Sequence, residues 1–412
     1  MIAKIIAIGS ELLNGSVAES NSRFLISALK SIGLSVAAVK LIRDDVASIV
    51  RALECESDAD ILLITGGLGP THDDVTVKAA ANYFRCELVF SDIAMQRMQM
   101  LFKNRGAAAV LNNTNRRQAM VPAKAELIPN PIGTAQGLKF KKGKTVFYFM
   151  PGVPVEMEQM MTGCILQELR QFSHKANIST TIHTTSVPES ILFRRIEHWI
   201  EKNQDIEVSI LPHFPEVDIV ISADLSKGGK PGFEKALSEL TEILGDDRYG
   251  DNQDSLELVV ARQLLSNHLT IATAESCTGG LIANRLTNIS GSSAYFRQGM
   301  ICYSNQSKTE QLGVPDRILA DFGAVSRQTA LEMAVSIRRI AQTDVGLSTT
   351  GIAGPTGGSA GKPVGTVYIG LNIGDHQVVF HFRYNRDRLS NKIYFSQMAL
   401  NQLRLQLKRV YG

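Results

Sequence analysis

Leu269-Thr-Ile-Ala-Thr-Ala-Glu-Ser-Cys-Thr-Gly-Gly-Leu-Ile-Ala-Asn-Arg-Leu286 runs from an apolar stretch through a glycine turn into a helical repeat. Leu269–Thr273 reads as a short buried strand, and the apolar spacing of Leu281–Leu286 is that of a helix. A strand that turns directly into a helix is the building unit of a parallel α/β sheet. The turn places one hydroxyl, Ser276, where nucleophiles and phosphate cradles are built. Gly279 and Gly280 let the backbone approach a ligand, and the N–H groups of Thr278–Gly280 would face a phosphate or an oxyanion. From this stretch alone both roles stay open.

The same alternation recurs on either side. Residues 1–170 carry apolar strands at Ile5–Ile8, Val36–Leu41, Ile61–Thr65 and Val146–Met150, separated by amphipathic helices. Two of these strands end in glycine turns, Gly9-Ser-Glu11 and Thr65-Gly-Gly-Leu-Gly-Pro-Thr-His-Asp-Asp74. Open parallel sheets bind ligands beyond the carboxyl ends of their strands, so both turns lie on the productive edge. Residues 175–250 change to strand-helix-strand-strand-helix, a small α+β module. In it, Lys227-Gly-Gly-Lys-Pro-Gly232 reads as an exposed loop after a strand. The polar run Asp246–Asp254 reads as a linker. Residues 254–412 return to α/β alternation, with a second glycine loop over Thr349–Pro363 and a closing amphipathic helix. The fold class is thus two α/β domains with mostly parallel sheets joined by a small α+β domain.

Composition narrows the function. A chain of 412 residues exceeds one hydrophobic core. A net charge of +3, from 43 Lys+Arg against 40 Asp+Glu, gives no polyanion-binding footprint. Five cysteines, at 55, 86, 164, 277 and 302, form no Cys-x-x-Cys pair and read as reduced thiols of a cytoplasmic protein. No run of about 18 apolar residues is present, so no membrane span is expected.

In the C-terminal domain the groups able to do chemistry are Ser276, Cys277, Tyr303, Lys308 and Thr350, whereas His268, His376 and His381 fall outside the glycine loops. A serine needs a base, and a lysine made less basic by burial can serve. Against this, the residues by themselves favour Lys308 as a solvated lysine at a helix start, and Cys277, a rival nucleophile, reads equally as a buried small hydrophobe.

Five motifs, Thr273-Ala-Glu-Ser-Cys-Thr-Gly-Gly280, Gly291-Ser-Ser-Ala-Tyr-Phe296, Tyr303-Ser-Asn305 with Lys308, Thr350-Gly-Ile-Ala-Gly-Pro355 and Lys362-Pro-Val-Gly-Thr366, occur in this order. Together they resemble the C-terminal domain of the CinA (competence/damage-inducible) family, which is similar to nicotinamide-nucleotide amidases. The resemblance implies hydrolysis of nicotinamide mononucleotide to nicotinate mononucleotide and ammonia, without a cofactor. On it, Ser276 attacks the carboxamide, Lys308 takes the hydroxyl proton and Tyr303 orients or relays it. It further implies that the backbone N–H groups of Thr278, Gly279 and Gly280 supply the oxyanion donors, that Thr350, Gly351 and the rest of the second glycine loop line the nucleotide pocket, and that Arg388 holds the phosphate. Gln298 and Lys392 depart from the family pattern, which often has glycine and arginine there.

Towards the N-terminus, the glycines of Thr65–Asp74 would admit a phosphate and its closing acids a divalent cation. Alternatively Asp73 and Asp74 cap the next helix. With Gly9–Leu13, Arg43-Asp-Asp45, Asn112-Asn113, Gln118-Ala119, Gly133–Ala135 and Pro151–Glu156, this region resembles the molybdopterin-binding (MoaB/MogA-like) domain that opens full-length CinA proteins. That branch implies hydrolysis of ADP-ribose to AMP and ribose 5-phosphate with Mg2+ or Co2+. The implied metal residues are Asp74, Asp44 and Asp73, with Glu11 and Glu156 beside them. Gly66, Gly67, Gly69, Thr71 and Asn113 are the implied substrate contacts. The middle module resembles the KH-type linker of the same proteins. Its Gly229-Lys-Pro-Gly232 follows a strand rather than lying between helices, which speaks against RNA binding. A homodimer is implied by the related domains. Two alternatives stand beside the bifunctional enzyme: an amidase with a non-catalytic molybdopterin- or nucleotide-binding front domain, and an adaptor in competence or recombination.

Overall fold

In the computed structural model, which describes residues 1–69, 74–104, 113–171 and 177–412, the apolar strands assemble into separate sheets. The chain divides into two units, Met1–Ile178 with Ala223–Lys230, and Ser179–Ser222 with Pro231–Gly412.

In the first unit a six-stranded sheet runs in the order Ser35–Ile42, Ile2–Ile8, Ile61–Thr65, Thr145–Met150, Gly137–Lys142, Glu126–Ile128. The first four are parallel and the last two antiparallel. Because side chains alternate along a strand, Ile61 and Leu63 pack with Leu25, Leu29, Met157 and Met160 on one face. Leu62 and Ile64 pack with Ile49, Leu53, Ala80 and Phe84 on the other. Helices therefore cover both faces, as parallel strands require. Register places Ala7 beside Thr65 and Thr65 beside Met150, so three strands release their following loops together at one edge.

The second unit holds two sheets. In the smaller the order is Ile206–His213, Glu216–Asp224, Asn177–Thr185, Arg248–Asp251. The last strand corrects the expected linker. Arg248–Asp251 pairs antiparallel with Asn177–Thr185, and Tyr249 and Gly250 are buried. Its charges misled because they pair within the strand, where the Arg248 guanidinium donates to Asp251 at 3.1 Å through Nε, while the distant Arg404 donates to the Arg248 carbonyl at 3.2 Å. A second correction concerns Gly229, where non-helical backbone (φ 67°, ψ 168°) breaks the helical run Leu225–Leu244. A helical turn thus lies between the strand and Gly229-Lys-Pro-Gly232. The positional argument against nucleic acid falls away, and only the charge argument stands.

The larger sheet has the order Phe296–Ile301, Ile271–Glu275, Val345–Gly351, Thr366–Ile373, His376–Arg383, with the first three strands parallel. Ala272 and Ala274 face Met333 and Ile337 of the helix Arg327–Ala341, which Ser326 caps by accepting the Thr329 N–H. Ile271 faces Val260, Leu264, Phe395 and Leu403 on the other side. Both central strands run further than their apolar content predicts. Glu275 pairs with Ile301 and Thr349, and the β-branched Thr349 and Thr350 pair with Ile369 and Tyr368 instead of opening the loop.

Candidate functional site

Strand extension sets the C-terminal site. Ser276 is the first residue after its strand, held by its N–H on the Thr349 carbonyl (3.0 Å) and by its own carbonyl, which accepts from Gly279 (3.2 Å). The next strand along ends at Ile301. From there Cys302 and Tyr303 lead into the helix Asn305–Leu312, which a reciprocal Ser304/Ser307 box caps. That helix carries Lys308 inward. Its Nζ lies 3.1 Å from Ser276 Oγ, 2.9 Å from the Cys302 carbonyl and 3.4 Å from the Tyr303 carbonyl. Lys308 is 1% exposed and Ser276 7%. The solvated-lysine alternative is therefore overturned. Burial pulls the Lys308 pKa below its ordinary value, since a charged ammonium is poorly solvated there. Cys277 lines the same pocket, but burial pushes its thiol up to about 12, which leaves it protonated and weakly nucleophilic.

The pocket encloses about 230 Å3. Ser276, Lys308, Tyr303, Thr350, Gly351 and Arg388 all line it, with Ile352, Ala353 and Gly354 of the second glycine loop beside them and Ala324 and Val325 as further walls that the sequence reading missed. Thr350 gives its hydroxyl to the Ala324 carbonyl (2.6 Å), which ties that wall to the strand. Arg388, first residue of the last helix, donates to the Gly354 carbonyl (2.7 Å) and to the Tyr303 hydroxyl (2.5 Å). Tyr303 thus occupies a different place from the expected relay. Its hydroxyl is joined to Arg388 at the pocket mouth, and only its carbonyl reaches Lys308.

Of the expected oxyanion donors, the amides of Gly279 and Gly280 are already engaged. The Gly280 N–H donates to the Glu275 carboxylate (3.0 Å), the Gly279 N–H closes the turn on Ser276, and the Thr278 hydroxyl bonds Thr349 Oγ1 (2.8 Å). None of the three residues lines the pocket. Gly279 and Gly280 are required instead by their left-handed backbone, φ 62° and 91°. Within the turn, the amides of Cys277 and Thr278 are left without a carbonyl or carboxylate acceptor among the described residues. Glu275 itself was not anticipated. The signal was present, because the first N–H groups of a helix need acceptors and an acid directly before a strand–helix turn can supply them.

In the first unit a pocket of about 420 Å3 opens at the carboxyl edge of the sheet. Glu11, Asp44, Asp74 and Glu156 line it, and no Lys, Arg or His does so among the described residues. Gly66, Gly67 and Gly69 are in its wall, but protein atoms already fill the space a Cβ would take. Ile8 O stands 2.2 Å from it at Gly66, Thr76 Oγ1 2.3 Å at Gly67 and Asp74 Oδ2 2.6 Å at Gly69. Gly66 and Gly67, which also have positive φ (111° and 67°), are thus needed for packing, whereas at Gly69 only the end of the Asp74 side chain stands in the way. The following helix begins after Val75 without a side-chain cap, so Asp74 is not its cap. Asp44 accepts from Ser10 Oγ, and Glu156 accepts from Asn130 Nδ2 at 2.7 Å. Thr71 and Asp73 lie outside the described residues, as does the side chain of Asn113, whose backbone opens the helix Asn113–Gln118. Among the described residues no three His, Cys, Asp or Glu side chains group as a metal-ligand set. A cation such as Mg2+ nonetheless needs only one or two carboxylates beside substrate phosphates and water, and this donor set suits that mode. No helix among the described residues is long and apolar enough to cross a membrane.

These two sites on two α/β domains define a chain with a molybdopterin-binding-type front and a serine–lysine pocket at the back. Residues 4–171 match the family model described as a probable molybdopterin binding domain, and residues 253–407 match the CinA C-terminal domain. A putative competence-damage inducible protein of Alkaliphilus metalliredigens is 38% identical over 413 residues, covering 100% of both chains. A CinA-like protein of a Geobacter species is 38% identical over 99% of this chain and 98% of its own. Among solved structures, a competence/damage inducible protein from Agrobacterium tumefaciens is 40% identical, covers 38% of this chain and 97% of its own, and has a TM-score of 0.36. The chain belongs to the CinA family.

Proposed function

We propose that the protein is a bifunctional hydrolase of pyridine-nucleotide metabolism, with a C-terminal domain that deamidates nicotinamide mononucleotide. The observation that carries this reading is the buried Ser276–Lys308 pair at 3.1 Å. A neutral lysine amine has two N–H groups and one lone pair. The Cys302 and Tyr303 carbonyls take the two N–H groups, which leaves the lone pair for the Ser276 hydroxyl. As Ser276 Oγ attacks the carboxamide carbon, Lys308 Nζ takes its proton, then passes it to the departing nitrogen, which leaves as ammonia. Water attacks the acyl-enzyme with Lys308 again as base, releasing nicotinate mononucleotide. Of the two amides the turn leaves without an acceptor, that of Cys277, directly after the nucleophile and in a residue that lines the pocket, would serve the oxyanion. Arg388 meets the phosphate at the mouth. Ammonia release from nicotinamide mononucleotide by wild type and by Ser276→Ala tests the reading, and equal rates in the two sink it.

For the N-terminal domain we propose hydrolysis of ADP-ribose to AMP and ribose 5-phosphate. The four carboxylates facing one pocket support this, since they favour a cation and a bare phosphate would be repelled. Asp44 and Asp74 would hold Mg2+ or Co2+, whose charge neutralises the pyrophosphate. A second reading, a non-catalytic nucleotide or molybdopterin binder, draws on the absence of a three-ligand group among the described residues. AMP formation with each metal, by wild type and Asp74→Ala, separates them. No AMP under either metal favours the binder.

A further inference from the structure

We infer that Glu275 is the positioning residue of the serine site: its carboxylate, by gripping the start of the helix Leu281–Thr287, holds the Ser276–Gly280 turn closed and Ser276 in register with Lys308. This rests on the reading of Ser276 as the nucleophile.

Glu275 is 1% exposed and is the last residue of its strand. Its Oε2 accepts from the N–H groups of Gly280 (3.0 Å) and Ile282 (3.1 Å), and its Oε1 from that of Ala283 (2.8 Å). Both oxygens are thus engaged by the backbone that follows the turn. The main chain of the same residue is fixed in the sheet, where its carbonyl accepts from the Cys302 N–H at 2.8 Å. One residue therefore clamps both ends of the five-residue loop Ser276–Gly280. The clamp also reaches the base, because the Cys302 whose N–H it takes gives its carbonyl to Lys308. Nucleophile and base are in this way referenced to one side chain and its backbone.

Chemistry makes the carboxylate hard to replace. An ionised carboxylate only accepts, whereas a carboxamide offers one oxygen and one NH2. Whichever oxygen becomes NH2 in Glu275→Gln, at least one of the three N–H groups loses its acceptor and faces a donor. Glu275→Asp keeps both acceptors but is one methylene short. Neither change touches a group that lines the pocket. A displacement of the nucleophile by about 1 Å can cost on the order of 100-fold in rate while leaving substrate contacts in place.

A serine-directed fluorophosphonate reports this without depending on the identity of the natural substrate. The full-length wild type, Glu275→Gln and Glu275→Asp are labelled over time, Ser276 modification is followed by peptide mass spectrometry, and folding is checked by thermal melting and circular dichroism. The expected result is Ser276 labelling at least about tenfold slower in Glu275→Gln, with Glu275→Asp between it and wild type. Nicotinamide mononucleotide kcat should fall in parallel with a KM change of less than about threefold. Should Glu275→Gln not fold, Glu275→Asp is judged by the same criterion. Labelling in the folded variant within about twofold of wild type, including no labelling in either, overturns the inference. Normal labelling dependence without ammonia release in wild type instead overturns the substrate assignment alone.

Discussion

Replacing Lys308 with methionine separates catalysis from folding, because the two respond to different parts of the same contact set. Lys308→Met keeps an unbranched chain in a site that is 1% exposed, so packing is largely preserved. Catalysis loses its base, an effect typically of about 10²–10⁴-fold. At about 1.4 kcal/mol per tenfold this is roughly 3–5.5 kcal/mol of barrier. Stability changes through two opposed terms. The Cys302 and Tyr303 carbonyls lose a donor, at about 1–3 kcal/mol for each acceptor left unsatisfied, while the cost of burying the amine disappears. The net is expected to be no more than about 2 kcal/mol, or a fall of roughly 4–8 °C in melting temperature for a domain of this size. Ammonia release and a thermal melt measure the two quantities side by side. The pH dependence adds a sign. Lys308 has a folded pKa below 10.5, so between its lowered value and 10.5 the unfolded chain binds more protons, and stability rises with pH across that window. kcat rises in the same direction as the amine becomes neutral. Both slopes should be absent in Lys308→Met. A variant that keeps more than about a tenth of wild-type kcat would refute the assignment of the base.

Three further outcomes are expected. Arg388→Ala should raise KM for nicotinamide mononucleotide by about 10–100-fold, the worth of a charged hydrogen bond, with a smaller change in kcat; an unchanged KM removes the arginine from phosphate binding. Gly66→Ala should destabilise the first unit by more than about 3 kcal/mol, since φ is 111° and the Cβ would stand 2.2 Å from the Ile8 carbonyl oxygen; a melt matching wild type contradicts the packing. His183 is held up to about 8 by its hydrogen bond to Asp218 (2.6 Å), with the Asn252 carbonyl and Glu216 adding to the effect. Its contribution is full below pH 6.5 and is lost as pH climbs through 8, roughly 2 kcal/mol at about 1.4 per unit. Denaturant titrations of wild type and His183→Asn across that range should diverge, and parallel curves would exclude the pair as a source of stability.

Much of the architecture was legible because hydrophobic period and turn chemistry are local. Ile61–Thr65, Leu256–Ser266 and Arg327–Ala341 lie where their spacing put them. Misreadings fell where local polarity concealed burial. Asp246–Asp254 read as a linker although Arg248–Asp251 is a strand, and Lys308 read by itself as a solvated side chain although it is among the most buried of the described residues.

The sequence by itself determined the alternation of strands and helices, the two glycine turns that follow strands, and the identity of the reactive groups. Those follow from side-chain period and residue type. Tertiary structure alone decided which groups meet and which are already occupied. Lys308 reaches Ser276 from 32 positions away because neighbouring strands end level with one another. The amides of Gly279 and Gly280, free donors on paper, are engaged by Ser276 and Glu275. Hydrogen-bond partnership and desolvation depend on atoms distant in the chain, and no local pattern encodes them.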